Sequence, residues 1–566
     1  MNWAATLRGM KKRAALKVLA ATGIGTAVFQ RSLAAEVVKP TEVSDAMVRE
    51  AEWIAGITLT DEERQTVAKS LTRTLKNVVE LRELPIDYSV SPAFSFAPRE
   101  NSKTKPIGEA SGASVEDGES IKLPSSEGDL AFLPVTALSE LVRTRQITSM
   151  ELTELYLERL KRFDPVLNCV VSFTEDLAME QARRADHEIA EGNYRGPLHG
   201  IPWGAKDLIA YPRYRTTWGA AHYKEQQLEH KATVAARLDD AGAVLVAKLT
   251  LGALAEGDQW FGGMTRNPWN PKQGSSGSSA GSASAVAAGL VGFAIGSETL
   301  GSIVSPCSRC GATGLRPTFG RVSRYGCMPL SWTMDKLGPI ARTVDDCGLI
   351  FGVIHGADPL DQSAVSRPFT WPPKSDVSDM TVGYFEGQDD SDLKPLRELG
   401  VNLVSIDLPG RELAQKLAYL LSVEAAAAFD EVTAAGISDG FNNWAERFRS
   451  MRFVPAVDYI RANRLRSQLM DDVAKATENV DAWMGGNDLV VTNLTGHPTV
   501  VIPHGMKKGK DDVPVPKSVT FSGQPYADEA LLALVAAYQK KTGHHFARPP
   551  LMRNDEFRND GLRMTE

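Results

Sequence analysis

Cysteine is scarce in this chain, with 5 residues in 566. A sparse, odd-numbered set in a long chain is not the disulfide framework of small secreted domains. Cys307 and Cys310 have the C-x-x-C spacing of zinc ligands, but no second such pair or paired His/Cys cluster completes a tetrahedral site. We predict a structural pair and no metal or other cofactor, with redox chemistry as the alternative.

An excess of basic charge is also missing. Lys and Arg total 63 against 70 Asp and Glu, which gives a net charge of −7, and no segment is strongly basic. This balance argues against nucleic acid as a partner. The apolar run from Val18 to Phe29 has only 12 residues and is too short to span a bilayer, so we expect no stable membrane span. The oligomeric state stays open.

The first 35 residues have the composition of an export signal. Positive charge at Lys11-Lys12-Arg13 precedes the Val18–Phe29 run, and Ser32-Leu33-Ala34 supplies small residues for cleavage. We expect residues 1–35 to be removed on export to the periplasm or outside the cell. Lys12–Lys17 resembles a degenerate twin-arginine signal. An uncleaved anchor and a fortuitous amphipathic start are the alternatives.

Residues 36–130 are predicted to form a helical segment followed by a linker. Two helices are expected within residues 41–84, the second begun by a capping box of Thr60 and Glu63. Residues 85–130 are rich in Pro, Ser, Gly and charge without periodicity, which is typical of an extended linker. Residues 131–566 then form the catalytic domain, and 43% hydrophobic residues overall are ample for its core.

The most informative stretch runs from Gly274 to Ser302. It begins with a loop of Gly and Ser, continues as a small apolar helix over Ala283–Leu290 and then as a buried strand from Val291 to Ile295. The turn after that strand presents Ser302. A Gly/Ser loop brings backbone N–H groups and hydroxyls close to a ligand. A flexible linker is the alternative, but linkers are not followed at once by an apolar helix and strand.

A second stretch, Gly196–Asp207, ends a run of Gly, Pro and apolar residues with Lys206. Lone lysines are nearly always surface charges, but one is less expected after such a run. Activating a serine nucleophile requires a base, and a lysine is a base only when neutral. Burial lowers the pKa of a lysine by destabilising its charged form, so Lys206 is a candidate base.

These two stretches resemble the amidase signature family. Its motif runs G-G-S-S-G-G-S-x-A-x-V-A-A-G and then G-T-D-x-G-G-S-I-R, and a further segment reads G-x-P-x-x-x-K-D. The similarity continues through Gly314–Thr318 and Asp335–Asp345, and extends from about Leu133 to about Pro549. An ordered match of this length is far more specific than one Gly-rich loop. The resemblance implies an α/β fold with a single large mixed sheet covered by helices.

The resemblance also implies the catalytic residues. Lys206 would be the base, Ser278 a proton relay that follows a cis Gly277–Ser278 peptide, and Ser302 the nucleophile. The Ser275-Ser276 pair is the minor alternative for the relay. Backbone N–H groups of Thr299, Leu300, Gly301 and Ser302 would form the oxyanion hole, with Gly277 beside it.

Four positions depart from the family motif. Leu300 and Ala280 stand where glycine is usual, Glu298 replaces Asp, and Val304 replaces Arg. A positive φ at Leu300 would strain the backbone. The missing arginine puts the support of the nucleophile turn in question. Because Lys206, Ser278 and Ser302 are all present, we nevertheless expect an active site.

By resemblance, the expected activity is hydrolysis of a small-molecule carboxamide to an acid and ammonia or an amine, through an acyl-enzyme. One alternative is the glutamine-hydrolysing A subunit of a tRNA-dependent amidotransferase. Another is an inactive binding module on the same fold. The C-terminal part gives weaker signals: a helix over residues 411–436, and two strands around a Gly-His-Pro turn within Leu489–Pro503 in which His497 is structural.

Overall fold

The computed structural model describes residues 42–84, 121–372, 376–486, 488–509 and 512–552. The predicted export signal and residues 85–120 of the predicted linker lie outside these ranges. The chain divides into two compact units, with the boundary between Glu80 and Leu81. In the described ranges, no helix combines the length and apolar character needed to cross a membrane.

The first unit contains two helices, α1 (Asp45–Ala55) and most of α2 (Asp61–Glu83). The predicted capping box is present at the start of α2. The Thr60 N–H donates to Glu63 Oε2 at 2.8 Å, and the Glu63 N–H donates to Thr60 Oγ1 at 3.3 Å. These reciprocal bonds satisfy N–H groups that a helix start leaves without partners, which fixes the boundary predicted from sequence.

The larger unit alternates helices and strands. Its helices are α3 Glu127–Ala131, α4 Val135–Arg143, α5 Ser149–Leu167, α6 Glu175–Ala190, α7 Thr233–Asp240, α8 Ala280–Ala287, α9 Val304–Cys310, α10 Val344–Ile354, α11 Asp390–Glu398, α12 Arg411–Leu417, α13 Tyr419–Ala428, α14 Asp430–Ala434, α15 Trp444–Met451, α16 Ala456–Ala476, α17 Leu489–Thr495 and α18 Asp528–Thr542. Its strands are β1 Val170–Phe173, β2 Pro202–Lys206, β3 Val244–Leu249, β4 Gln259–Trp260, β5 Gly263–Met264, β6 Arg266–Asn267, β7 Asn270–Gly274, β8 Phe293–Glu298, β9 Thr313–Arg316, β10 Lys336–Ala341, β11 Thr381–Tyr384, β12 Asn402–Ser405, β13 Ala482–Met484, β14 Thr499–Lys508 and β15 Pro514–Gly523.

Eleven of the strands form one mixed sheet, in the order β1-β3-β2-β8-β10-β9-β14-β15-β13-β11-β12. The pairs β3/β2, β2/β8, β13/β11 and β11/β12 are parallel, and the other neighbours are antiparallel. The other four strands form two small hairpins, β4/β5 and β6/β7. The predicted α/β class with a large mixed sheet is therefore confirmed.

Helices cover the sheet, so its central strands are buried and mostly apolar. Within β8, Phe293 and Ile295 pack into one hydrophobic core and Ala294 packs into the other. Every residue of β2 and β3 is buried. Strands buried on both sides appear in a sequence as continuous apolar runs rather than as alternating patterns. This explains why the apolar run from Val291 to Ile295 predicted a strand, which the structure places at Phe293–Glu298 as β8.

The positions of β2 and β8 determine where the site forms. These two strands are adjacent and parallel, with Gly204 opposite Ala294 and Ala205 opposite Ile295. Their carboxyl ends therefore meet at the same edge of the sheet, where ligands bind in open α/β folds. Lys206 ends β2, and the turn that carries Ser302 follows β8.

Two predictions for the C-terminal part are wrong. Leu489–Thr495 is the helix α17 and not a strand, and only the segment after its Gly496 cap is extended, as β14. A short apolar run of this length does not distinguish strand from helix. From this helix Asn493 donates a hydrogen bond to Glu298 at 2.8 Å. The predicted helix over residues 411–436 is divided into α12, α13 and α14.

Candidate active site

Lys206 is completely buried at the end of β2. Its Nζ lies 2.8 Å from Ser278 Oγ, 2.9 Å from Ser297 Oγ and 3.1 Å from Ser279 Oγ. None of these partners carries a charge. Burial therefore dominates and lowers the pKa of Lys206 from 10.5 to about 7, although the charges of Asp335 and Glu298 act in the opposite direction. A lysine in this environment can accept a proton near neutral pH.

The loop before α8 brings Ser278 to Lys206. Its Gly277–Ser278 peptide is cis, as the resemblance implied. Gly277 packs so closely on Gly257 that a Cβ would lie 1.9 Å from the Gly257 carbonyl oxygen, so only glycine fits there. The alternative relay residues point elsewhere: Ser275 Oγ donates to the Ser276 carbonyl rather than to Lys206.

Two further serines complete the surroundings of Lys206, and sequence reasoning did not single out either. Ser279 Oγ accepts a hydrogen bond from the Ser297 N–H and donates to the Ser297 carbonyl, both at 3.1 Å. Ser279 therefore ties the relay loop to β8. Ser297 contacts Lys206 through its hydroxyl and its carbonyl oxygen. In the sequence, only its place beside Ser278 pointed to Ser279. Nothing in the sequence pointed to Ser297, which lies in β8.

The turn from Thr299 to Ser302 leads from β8 into α9. Gly301 has φ 88°, in the left-handed region, whereas Leu300 is not among the residues with positive φ. The strain considered for Leu300 therefore does not arise. Within the described ranges, none of the four N–H groups of this turn donates to a protein acceptor. Free backbone donors in a turn can bind the negative oxygen of a tetrahedral intermediate where they point to the same place.

Ser302 is partly exposed at the end of this turn. Its carbonyl oxygen accepts the Ser279 N–H at 3.0 Å, which joins the turn directly to the relay loop. Its hydroxyl has no hydrogen-bond partner among the described residues, so it is free to meet a ligand. The structure thus brings Lys206, Ser278 and the turn of Ser302 together from three separate segments of the chain.

Glu298 supports the residues that directly follow the Thr299–Ser302 turn. Its carboxylate accepts the N–H groups of Ile303 and Val304 at 2.8 and 2.9 Å. Its other oxygen accepts from Arg316 and Asn493, both at 2.8 Å. These partners outweigh the effect of burial and lower the pKa of Glu298 to about 2. Glu298 and Arg316 therefore support this turn. The missing arginine at position 304 had put that support in question.

Asp335 anchors the other side of the turn. It accepts the Thr299 hydroxyl at 2.6 Å and the N–H groups of Leu330 and Ser331 at 2.8 and 2.9 Å. Burial raises the pKa of this carboxyl, and these donors act against that rise. Asp335 thus fixes the first residue of the turn. The sequence pointed to Asp335 only through the family similarity over Asp335–Asp345. Its contact with Thr299 could not be inferred from the sequence.

Asp207 stabilises the backbone that follows Lys206. It forms a fully buried ion pair with Lys248 at 2.8 Å, and it accepts hydrogen bonds from the N–H and hydroxyl of Thr217. Lys248 also donates to Thr216 Oγ1 at 3.0 Å. Satisfied buried charges of this kind fix one local geometry, and removal of a single partner is costly.

Cys307 and Cys310 lie in α9 and are completely buried. Burial raises the pKa of both thiols, so neither is a thiolate near neutral pH. In the described ranges no group of three or more His, Cys, Asp and Glu side chains is placed to hold a metal ion. His497 is also buried, and its Nδ1 lies 2.7 Å from Thr495 Oγ1, away from Lys206.

A buried lysine with a lowered pKa, a serine after a cis peptide and a serine beside free N–H groups thus lie together at one edge of the sheet. The family profile described as "Amidase" matches residues 151–484. The chain therefore belongs to the amidase signature family.

Known relatives match nearly their whole length. The A subunit of the glutamyl-tRNA(Gln) amidotransferase of Chloroflexus aurantiacus is 32% identical over 489 residues, which cover 75% of this chain and 99% of the relative. The corresponding protein of Geobacter metallireducens is 30% identical over 483 residues, covering 74% and 99%. The solved peptide amidase of Stenotrophomonas maltophilia aligns with a TM-score of 0.65 at 28% identity, covering 74% of this chain and 98% of that one.

Proposed function

We propose that the protein hydrolyses a small-molecule carboxamide to a carboxylic acid and ammonia or an amine. The observation that carries the proposal is the contact of a buried Lys206, with a pKa near 7, and Ser278 Oγ at 2.8 Å. A buried lysine with this pKa can accept a proton, but it binds an anion poorly. The free N–H groups of the neighbouring turn supply the second requirement of acyl transfer.

In the proposed reaction Ser302 Oγ attacks the carbonyl carbon of the amide. Its proton passes through Ser278 to the neutral Lys206, and the carbonyl oxygen, now negative, is bound by the N–H groups of the Thr299–Ser302 turn. Lys206 then returns the proton through Ser278 to the leaving nitrogen as the C–N bond breaks. Water attacks the resulting ester by the same route, which releases the acid and regenerates Ser302.

The test is to locate the covalent intermediate. A fluorophosphonate should form one adduct, which mass spectrometry maps to Ser302, and Ser302→Ala should form none and have no amidase activity. Ser278→Ala should retain some activity if water replaces the relay. Because groups that act as one unit are not additive, Lys206→Ala/Ser302→Ala should be no less active than Ser302→Ala alone. Labelling of another serine, or full activity of Ser302→Ala, refutes the assignment.

A second candidate is hydrolysis of glutamine as one component of a tRNA-dependent amidotransferase. The amidotransferase relatives favour it, since they match over 99% of their own length. Such a component works with partner proteins and delivers ammonia to a charged tRNA. The purified chain by itself decides between the candidates: vigorous hydrolysis of simple amides with little glutaminase activity favours the first, and glutaminase activity that depends on added partner proteins favours the second.

A further inference from the structure

A cavity of about 260 Å³ opens beside the candidate active site. Three of its lining residues belong to that site: Ser297, which contacts Lys206, Thr299, which begins the turn with free N–H groups, and Asp335, which accepts the Thr299 hydroxyl. A substrate group that occupies the cavity is therefore adjacent to the reacting bond. Concave sites next to catalytic groups are where substrates bind.

The lining of this cavity is mixed, with somewhat more apolar than polar surface. Leu208, Met328, Leu330 and Leu337 are buried within it. Two large apolar side chains also line it but remain exposed to solvent: Trp332 at 46% and Leu360 at 61%. These two side chains present apolar surface that a ligand in the cavity can cover.

The charged residues that line the cavity are already engaged. Arg324 pairs with Asp361 at 3.1 Å, and Asp335 accepts the Thr299 hydroxyl and two backbone N–H groups. Lys336 donates to a backbone carbonyl. The positive and negative residues are equal in number. Among the described lining residues the charges therefore balance, and the Arg324–Asp361 pair neutralises itself.

We propose that this cavity receives an uncharged, apolar group of the substrate, of aryl or medium alkyl size, which rests on the proposed amidase function. An apolar group gains free energy by leaving water for this lining. A charged group would lose its hydration without a new partner of opposite charge, and that loss is large. Glutamine, with a free ammonium and a free carboxylate, is disfavoured for the same reason.

The test compares matched primary amides on the purified full chain. Release of ammonia gives kcat/KM for propanamide, hexanamide, phenylacetamide, succinamic acid and L-glutamine. One methylene in an apolar pocket changes kcat/KM by about tenfold or more, so hexanamide and phenylacetamide should exceed propanamide by at least about tenfold. Succinamic acid and glutamine should be the poorest substrates. A preference for either of these two overturns the proposal.

A cavity variant and a matched control distinguish a role of the cavity in substrate preference from a general effect on activity. Trp332→Ala removes part of the apolar wall and should lower the ratio of kcat/KM for phenylacetamide to that for propanamide about tenfold. The matched control is Trp53→Ala, because Trp53 is 80% exposed in the N-terminal unit and its loss should leave the ratio unchanged. Leu360→Lys adds an unpaired charge at an exposed position and should shift preference toward succinamic acid. An unchanged ratio in Trp332→Ala contradicts the proposal.

Binding to Ser302→Ala tests the cavity independently of turnover. Calorimetry should show that phenylacetamide binds this variant more tightly than glutamine does. If the intact chain hydrolyses none of the amides and phenylacetamide still binds in preference, the proposed function fails and the inference about the cavity stands. If amides are hydrolysed but glutamine binds more tightly, the inference fails and the function stands.

Discussion

The pH dependence of the reaction follows from the state of Lys206. Burial lowers its pKa from 10.5 to about 7, which corresponds to about 5 kcal/mol against the charged form. At pH 7 about half of the Lys206 side chains are neutral, compared with roughly one in 3,000 for an ordinary lysine. Because the neutral form is the base, kcat/KM should rise about tenfold per pH unit below pH 7 and become constant above about pH 8.

The assay is kcat/KM for an uncharged amide from about pH 5 to 10, with circular dichroism at each pH to show that the protein stays folded. A flat profile, or a rise that continues to about pH 10, refutes the role of Lys206 as a buried base. Asp335→Asn gives a directional check. The negative charge of Asp335 raises the pKa of Lys206, so its removal should move the rise to lower pH. A merely structural effect would lower activity without that movement.

Three further predictions address the turn, the cysteines and the N-terminus. Glu298→Gln should reduce the free energy of unfolding in urea by about 3–5 kcal/mol at pH 7, since it leaves a buried arginine unpaired; a loss below about 1 kcal/mol argues against the network. This contribution should be lost only as the pH falls from about 4.5 toward 2, because the folded state lowers the pKa of Glu298. Cys307→Ala/Cys310→Ala should remain active and a chelator should not inhibit, whereas stoichiometric zinc needed for activity would contradict the structural role. We also propose that residues 1–35 are removed on export; N-terminal sequencing of the mature protein from its host decides this, and an intact Met1 would disprove it.

One strand next to the site was predictable from the sequence. The apolar run at β8 is buried on both sides of the sheet, so its composition alone predicted a strand. The capping box at Thr60 marked a helix start, because it depends on side chains three residues apart. The prediction failed at Leu489–Thr495, because a short apolar run does not distinguish a strand from a helix.

The sequence by itself determined which chemical groups are available: a lysine at the end of a Gly-, Pro- and apolar-rich run, and serines in a Gly/Ser loop and after a buried strand. It could not determine how they are supported. Glu298 meets Arg316 and Asn493, and Asp335 meets Thr299, only because the sheet brings distant segments to one edge. The pKa of Lys206 likewise belongs to the tertiary structure, since the lowering depends on the complete removal of water by residues from several elements.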